Sequence, residues 1–362
     1  MVLKDEESGR GPGRVTPKSY VVAYRRGVGL ARWRERDRES PVPSRWPYGL
    51  DKLSEHLDPV SAVDLRSRSG VRERLELLVR RATRRSRAGA SAAMAWDELT
   101  AMDMRADLQA ENYFAGVIWA TDEVRSGAGD VRRLRATART LRQMAGLWVL
   151  SRPQAAAVRA WLGADCPPVH FVRFGVDTDF YVPPSSPPAT PHVVSVGGDR
   201  DRDPDTLFAA LELVRRARPD VRVTVQSRSE RPAPAGVTKI DRLPHVEVAR
   251  LLADASVAVL ATRPNLHASG MTVGLEAQSC AVPVVACSTP GMDDYFVDGV
   301  TAALVPPEDP AAMAAAVVEL LDDPDRARAA GLAGRERVLA SHTTSTMAGD
   351  LADILRGRAR EA

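Results

Sequence analysis

Hydrophobic positions in this chain fall in short runs separated by longer amphipathic stretches. SYVVAY over 19–24 is a β-prone run leading into Arg25-Arg26-Gly27-Val28-Gly29, a tight glycine-containing loop. Similar runs recur as VSAVDL near 60–65, ASAAMAW near 90–96, FAGVIWA near 114–120 and GLWVLS near 146–151, with helical spacing between each pair. Alternation of this kind predicts a parallel sheet with helices on both faces. Ligands of such sheets bind beyond the carboxyl ends of the strands. Asp97, Glu98, Thr121, Asp122, Glu123 and Ser151 follow strands here and are expected to line a cleft.

VHFVRFGVDTDFYVPPSSPPATP then changes character and ends in a segment of Pro and Ser that continues neither helix nor sheet. After it the alternation restarts. HVVSVGG, VRVTVQS, VAVLAT and PVVACS read as strands, and PDTLFAALELVRRAR, HVEVARLLADA and MTVGLEAQSCA as the helices between them. The expectation is an α/β protein of two Rossmann-like, doubly wound domains facing a central cleft. Its divisions are a polar leader over 1–18, expected to be disordered, an N-terminal Rossmann-like domain over 19–182, a linker over 183–191, a C-terminal Rossmann-like domain over 192–342, and a closing helix within 343–362.

Composition agrees with two globular domains: 362 residues with 44% hydrophobic content can bury a substantial core. No apolar run approaches a membrane span, and MVLKDEESGRGPGR lacks a signal-peptide core, so a cytoplasmic location is expected. Cys166, Cys280 and Cys287 show no CxxC pairing and read as reduced structural residues. The six histidines lack metal-ligand spacing, and neither a metal nor a cofactor is expected.

A net charge of +3 conceals Arg-rich stretches, from Arg72 to Arg87 and from Arg132 to Arg142. They read as solvated helix faces rather than a nucleic-acid site. Peripheral contact with anionic lipid, with LELLV supplying an apolar face, is the alternative.

The most informative run is HASGMTVGLEAQSCAVPVVACSTPGMDDYFVDGVTAALVPPEDP. It resembles the donor-binding segment of family 4 glycosyltransferases of GT-B fold, closely from Leu275 to Pro310. Ala281 stands where that family usually has Gly, and Ala302 at a second such place. Upstream, GLWVLSRPQAAAVRAWLGADCPPVHFVRFGVDTDFYVP is similar to the family's segment before the linker, with Phe174 replacing Asn and Gly175 and Val176 at the hinge.

The same residues carry a physical reading of their own. Ser269 and Gly270 precede a helix beginning near Met271 or Thr272, and free N–H groups at a helix start attract anions such as a diphosphate. Glu276 lies one turn on, and a carboxylate there can accept two hydrogen bonds from a ribose diol, the role the resemblance implies. The plainer alternatives are an ordinary helix cap and a solvated Glu.

Beside it, VGGDRDRDPDTLFAAL resembles the family's diphosphate-gripping loop imperfectly, because Gly198 occupies the usual Arg place. Arg200 and Arg202 follow, and either can supply bidentate phosphate contacts or else an ion pair within the loop. The resemblance implies a Glu eight positions before Glu276, where this chain has Ala268. His267 beside it can contact a sugar hydroxyl or phosphate, or simply satisfy the loop. No His follows the N-terminal strands at the position the family often uses, which leaves Asp97, Asp122 and Glu123 as candidate bases.

The resemblance implies sugar transfer from a nucleoside-diphosphate donor with retention and without metal, the leaving diphosphate itself taking the acceptor proton. UDP is expected as the commoner donor nucleotide of that family. A small-molecule acceptor of specialised metabolism is expected because Trp33, Trp46, Tyr48, Trp96 and Trp119 can line a pocket, although core packing is their alternative. A sugar-nucleotide epimerase, a pseudo-glycosyltransferase and a non-catalytic nucleotide-binding scaffold are the other readings.

Overall fold

The computed structural model of the chain describes residues 19–25, 27–65, 89–186, 188–359 and 361. The leader expected over 1–18 and the basic stretch from Arg72 to Arg87 lie outside them.

The N-terminal half runs β1 (Tyr20–Tyr24), α1 (Leu30–Glu39), a 3-10 segment (Pro47–Glu55), β2 (Val60–Asp64), β3 (Ala90–Ala95), α2 (Glu98–Asp107), β4 (Ala110–Gly116), α3 (Ala120–Ser126), α4 (Val131–Leu141), β5 (Gly146–Val149), α5 (Arg152–Leu162) and β6 (Val169–Phe171). Its sheet has the order β2-β1-β3-β4-β5-β6. The second half runs β7 (His192–Ser195), α6 (Pro204–Ala217), β8 (Arg222–Gln226), β9 (Val237–Ile240), α7 (His245–Ala253), β10 (Val257–Leu260), α8 (Met271–Ser279), β11 (Val284–Cys287), β12 (Ala302–Val305), α9 (Pro310–Asp322), α10 (Pro324–Ser341) and α11 (Thr344–Leu355). Its sheet has the order β12-β11-β10-β7-β8-β9. All pairings within both sheets are parallel.

Helices cover both faces of each sheet, so central strands such as β5, β7, β10 and β11 are buried along their whole length. That is why they read as continuous apolar runs. The run expected as a strand near 114–120 is instead β4, ending at Gly116. The buried Glu98 carboxylate accepts from the N–H groups of Ile118, Trp119 and Ala120 at 2.9, 3.0 and 2.7 Å. Those donors are thereby withdrawn from any ladder, and the chain turns into α3.

One core cluster spans both halves, joining Trp148, Phe174 and Tyr181 to Tyr295 and Phe296. The closing helix α11 crosses back to the N-terminal half, where Met347, Leu351 and Leu355 share that cluster with Leu50, Leu53 and Leu57. Val176 bridges Thr343 at the crossing. A Cβ on Gly175 would sit 2.1 Å from the Thr343 carbonyl oxygen, so only glycine admits this approach.

Candidate active site

The second sheet reverses its winding between β7 and β10. They pair as Val193 with Val257 and Val194 with Ala258, but their onward connections leave in opposite directions along the sheet. A crevice opens beyond the carboxyl ends of such a pair. Two loops line it, 196–203 after β7 and 261–270 after β10. They are joined by an Arg202–Thr262 bridge, by Asp203 N–H donating to Ala261 O at 3.0 Å, and by Arg263 N–H donating to Asp201 O at 2.8 Å.

The second loop delivers the chain to α8 through two left-handed residues, Ala268 at φ +53° and Gly270 at φ +89°. No side chain caps the helix. Ser269 is turned elsewhere: its N–H donates to Asn265 Oδ1 at 2.9 Å and its hydroxyl to Asp199 Oδ2 at 2.6 Å. Met271 is buried and Thr272 half-buried in the first turn. The start of α8 is therefore an uncapped positive dipole end facing the crevice.

Arg202 lies against this helix start. Its Nη2 donates to Val196 O at 3.0 Å, whereas Nε and Nη1 are buried without a hydrogen-bond partner. A Cβ on Gly270 would fall 3.4 Å from Nη1, and one on Gly197 only 2.3 Å from Nη2, so the loop glycine at φ +109° makes room for the guanidinium. Burial lowers the guanidinium pKa, and the Asp199 and Glu276 carboxylates oppose it. Two buried, unpaired donors on a cation are costly, which marks the position as one waiting for an anion.

Glu276 is half-buried on α8. Burial pushes its carboxyl up to about 7, against the opposing pull of the Tyr181 hydroxyl and Arg202. Tyr181 is almost wholly buried, and Ser279 Oγ donates to its carbonyl at 2.6 Å. Its hydroxyl makes no geometrically formed hydrogen bond and faces Glu276. The Glu276 carboxylate thus keeps acceptor capacity on the crevice side. Beside the Gly197–Gly198 turn, a cavity of about 260 Å³ is bounded by Arg202, Gln226, Ser227 and Arg228.

Across the crevice, the N-terminal half contributes carboxylates that are already engaged. Asp122 accepts from Leu266 N–H and from His267 Nδ1, both at 2.7 Å. Glu123 pairs with Arg200 at 2.7 Å and with Arg133, and Arg200 also donates to Trp119 O at 3.1 Å. Burial alone would raise the Glu123 carboxyl, but the two arginines outweigh it and hold it below its ordinary value. Asp97 caps α2, accepting from Thr100 N–H at 2.7 Å, and burial raises its carboxyl. A second cavity of about 440 Å³ lies between the halves, lined by Asp122, Glu123, Arg133, Arg200 and Asp201.

Comparison with known proteins bears on both halves. Residues 190–323 match the family model for glycosyl transferases group 1. Across 94% of this chain the fold superposes on sucrose-phosphate synthase from Thermosynechococcus elongatus, with a TM-score of 0.67, 18% identity and 98% of that chain covered. HepE from Anabaena, solved with UDP and glucose, superposes over 94% of this chain and all of its own, with a TM-score of 0.64 and 15% identity.

The chain has the GT-B fold.

Among curated relatives, it is 36% identical over 171 residues to the GDP-mannose-dependent alpha-(1-6)-phosphatidylinositol monomannoside mannosyltransferase of Mycolicibacterium smegmatis. That match covers 45% of this chain and 42% of the relative. It is 29% identical over 233 residues to alpha-maltose-1-phosphate synthase of the same organism, covering 55% of this chain and 59% of the relative. The chain therefore spans about half the length of these relatives. Among the described residues no helix is long and apolar enough to cross a membrane, and no three His, Cys, Asp or Glu cluster as metal ligands.

In this GT-B chain the structure gathers Gly198, Arg202, Ser269, Gly270, Met271, Thr272 and Glu276 around one crevice. It draws Asp122, Glu123, Arg200 and His267 into the seam between the domains, and leaves Asp97 capping a helix. Three crevice residues escaped sequence reasoning. Tyr181 sits far from Glu276 in sequence and close to it in space, and no local pattern announces it. Asn265 orders the loop before α8, with Nδ2 donating to Arg263 O at 2.8 Å. Asp199 had a visible signal, the alternation of Asp and Arg over 199–203, which places carboxylates among cations.

Proposed function

We propose that this protein is a metal-independent, retaining glycosyltransferase that moves a sugar from a nucleoside-diphosphate donor to a small-molecule acceptor. The observation that carries the reading is the Arg202 guanidinium, buried with two unpaired N–H groups against the uncapped start of α8. A donor diphosphate supplies the missing acceptors. Gly270 and Thr272 then present backbone N–H donors to it, Ser269 and Thr272 their hydroxyls, and Glu276 accepts from the ribose hydroxyls.

In the transfer, the bond between the sugar anomeric carbon and the diphosphate oxygen breaks, and the acceptor oxygen bonds to that carbon. The acceptor proton passes to the departing diphosphate oxygen. Negative charge grows on the diphosphate, where the helix dipole and Arg202 are already oriented to receive it. The protein contributes position and electrostatics rather than a nucleophile. Asp122, Glu123 and Arg200 hold the two domains in facing register, and His267 steadies the donor loop from that seam.

The nucleotide is the part to be measured first. UDP is the expected base carrier. The mannosyltransferase relative is named for GDP-mannose, whereas HepE is solved with UDP. A thermal-shift series against UDP, GDP and ADP is expected to raise the unfolding midpoint with one of them and to lose that shift in Glu276→Ala. No stabilisation by any nucleoside diphosphate, or full stabilisation retained in Glu276→Ala, would overturn the assignment.

A further inference from the structure

The donor crevice already contains an anion of its own. Asp199 stands on the loop after β7 and its carboxylate is held at both oxygens: Oδ1 accepts from Asp201 N–H at 2.9 Å and Oδ2 from the Ser269 hydroxyl at 2.6 Å. Ser269 is the residue before the left-handed Gly270 that opens α8. A negative charge therefore rests beside the positive end of a nine-residue helix and within electrostatic reach of Arg202.

Two features show that this arrangement is incomplete without a ligand. Arg202 Nε and Nη1 are buried and donate no hydrogen bond to Asp199 or any other group, so the carboxylate compensates the charge without satisfying the donors. Asp199 itself is exposed, on a loop with glycines at 197 and 198, and its carboxylate is held by the two hydrogen bonds from Asp201 and Ser269. A diphosphate oxygen can satisfy what Asp199 leaves open, but two anions cannot share the helix start without mutual repulsion.

We propose that Asp199 is a built-in counter-ion of the donor cradle, displaced when the donor diphosphate binds. The Ser269 hydroxyl exchanges a carboxylate partner for a phosphate oxygen, and the free energy spent on displacement weakens donor binding by a fixed factor. This deepens the donor-site reading above and rests on it. The device keeps a desolvated arginine compensated while the site is empty, and it favours ligands with enough negative charge to replace the carboxylate.

Asp199→Asn separates charge from geometry. The amide oxygen keeps the turn by accepting from Asp201 N–H, its Nδ2 can donate to the Ser269 hydroxyl oxygen in place of the bond Ser269 now donates, and the competing charge is gone. Titration of the whole 362-residue chain with UDP and GDP by calorimetry is expected to show the preferred diphosphate binding about five- to tenfold more tightly to Asp199→Asn than to the wild type. Asp199→Ala is expected to move in the same direction, with ligand-free unfolding midpoints reported for both variants as a control on folding. Unchanged or weaker binding in Asp199→Asn, with the wild type binding normally, would show that Asp199 is a bystander or a donor ligand and would overturn the proposal alone. Absence of diphosphate binding in the wild type and both variants would remove the donor-site reading, and this inference with it.

Discussion

Asp122 of the N-terminal domain grips His267 of the donor loop: Asp122 Oδ2 accepts from the imidazole Nδ1 at 2.7 Å, and Oδ1 accepts from the neighbouring Leu266 N–H at the same distance. Ser151, also N-terminal, donates its hydroxyl to the Leu266 carbonyl. The loop that leads into α8 is thus fixed by the opposite domain as well as by its own. Its geometry depends on how the two domains sit together.

Removing the Asp122 carboxylate should therefore loosen both the seam and the loop. Asp122→Ala leaves the Leu266 N–H and the His267 ring without their acceptor in a nearly buried place, where the side chains are 13% and 6% exposed. The expected cost is about 3 kcal/mol. Denaturant unfolding of the variant measures it, and a change below about 0.5 kcal/mol would mean that solvent replaces the contact.

Arg202→Met should separate stability from binding. The thioether fills much of the space without a cation whose Nε and Nη1 are buried and unpaired. The ligand-free variant is expected to be more stable by about 1 to 2 kcal/mol, and its affinity for the preferred nucleoside diphosphate to fall at least tenfold. Parallel thermal melts and titrations test this. A variant that loses stability and keeps its affinity would make Arg202 a structural residue.

Glu276 gives the fold a pH signature. Its carboxyl titrates near 7, above the ordinary 4.5, because burial outweighs the Tyr181 hydroxyl and Arg202, and the Cys280 thiol also borders it. Folding therefore favours the protonated form. That stabilisation is present in full below about pH 4.5 and is lost as pH rises through about 7. Glu276→Gln stays neutral, so its advantage over the wild type should grow by about 2 kcal/mol between mildly acid and mildly alkaline solution. Urea unfolding across that range checks the sign, and an advantage that shrinks toward alkaline pH would contradict the desolvated carboxyl.

Ala281 adopts φ +57°, the left-handed conformation that favours glycine, at a position where the resembling family usually has Gly. Ala281→Gly relieves that strain, although it also frees the unfolded chain. The balance is expected to favour the variant by up to about 1 kcal/mol. A raised unfolding midpoint with unaltered diphosphate affinity is the expected result.

Particular residues show how far the chain could be read without its fold. Ser269, Gly270 and Glu276 lie within one loop and two helical turns, so their spacing already placed them together, and the strands beside them were visible as apolar runs. The short strands β6, β9 and β12 and the helices α9 and α10 went unassigned. These strands are only partly buried and lack the unbroken apolar run that marks the equally short β7, β10 and β11, and α9 and α10 lie beyond the resembling segment. Glu98 looked like a cleft residue because it follows β3. It is instead consumed by three backbone donors of another segment, a contact between residues twenty or more positions apart that no local rule anticipates.

Sequence alone determined the two-sheet architecture and which residues stand at the start of α8, because both rest on local periodicity and on a helix start, which are properties of neighbouring residues. Only tertiary structure decided which of two nearby arginines faces that helix start and which spans the seam. Arg200 and Arg202 differ by two positions on one loop, and the Arg202–Thr262 bridge to the donor loop turns Arg202 inward while Arg200 reaches Glu123. The direction of a loop side chain is set by what packs against it, and that information lies in the other strands and the other domain.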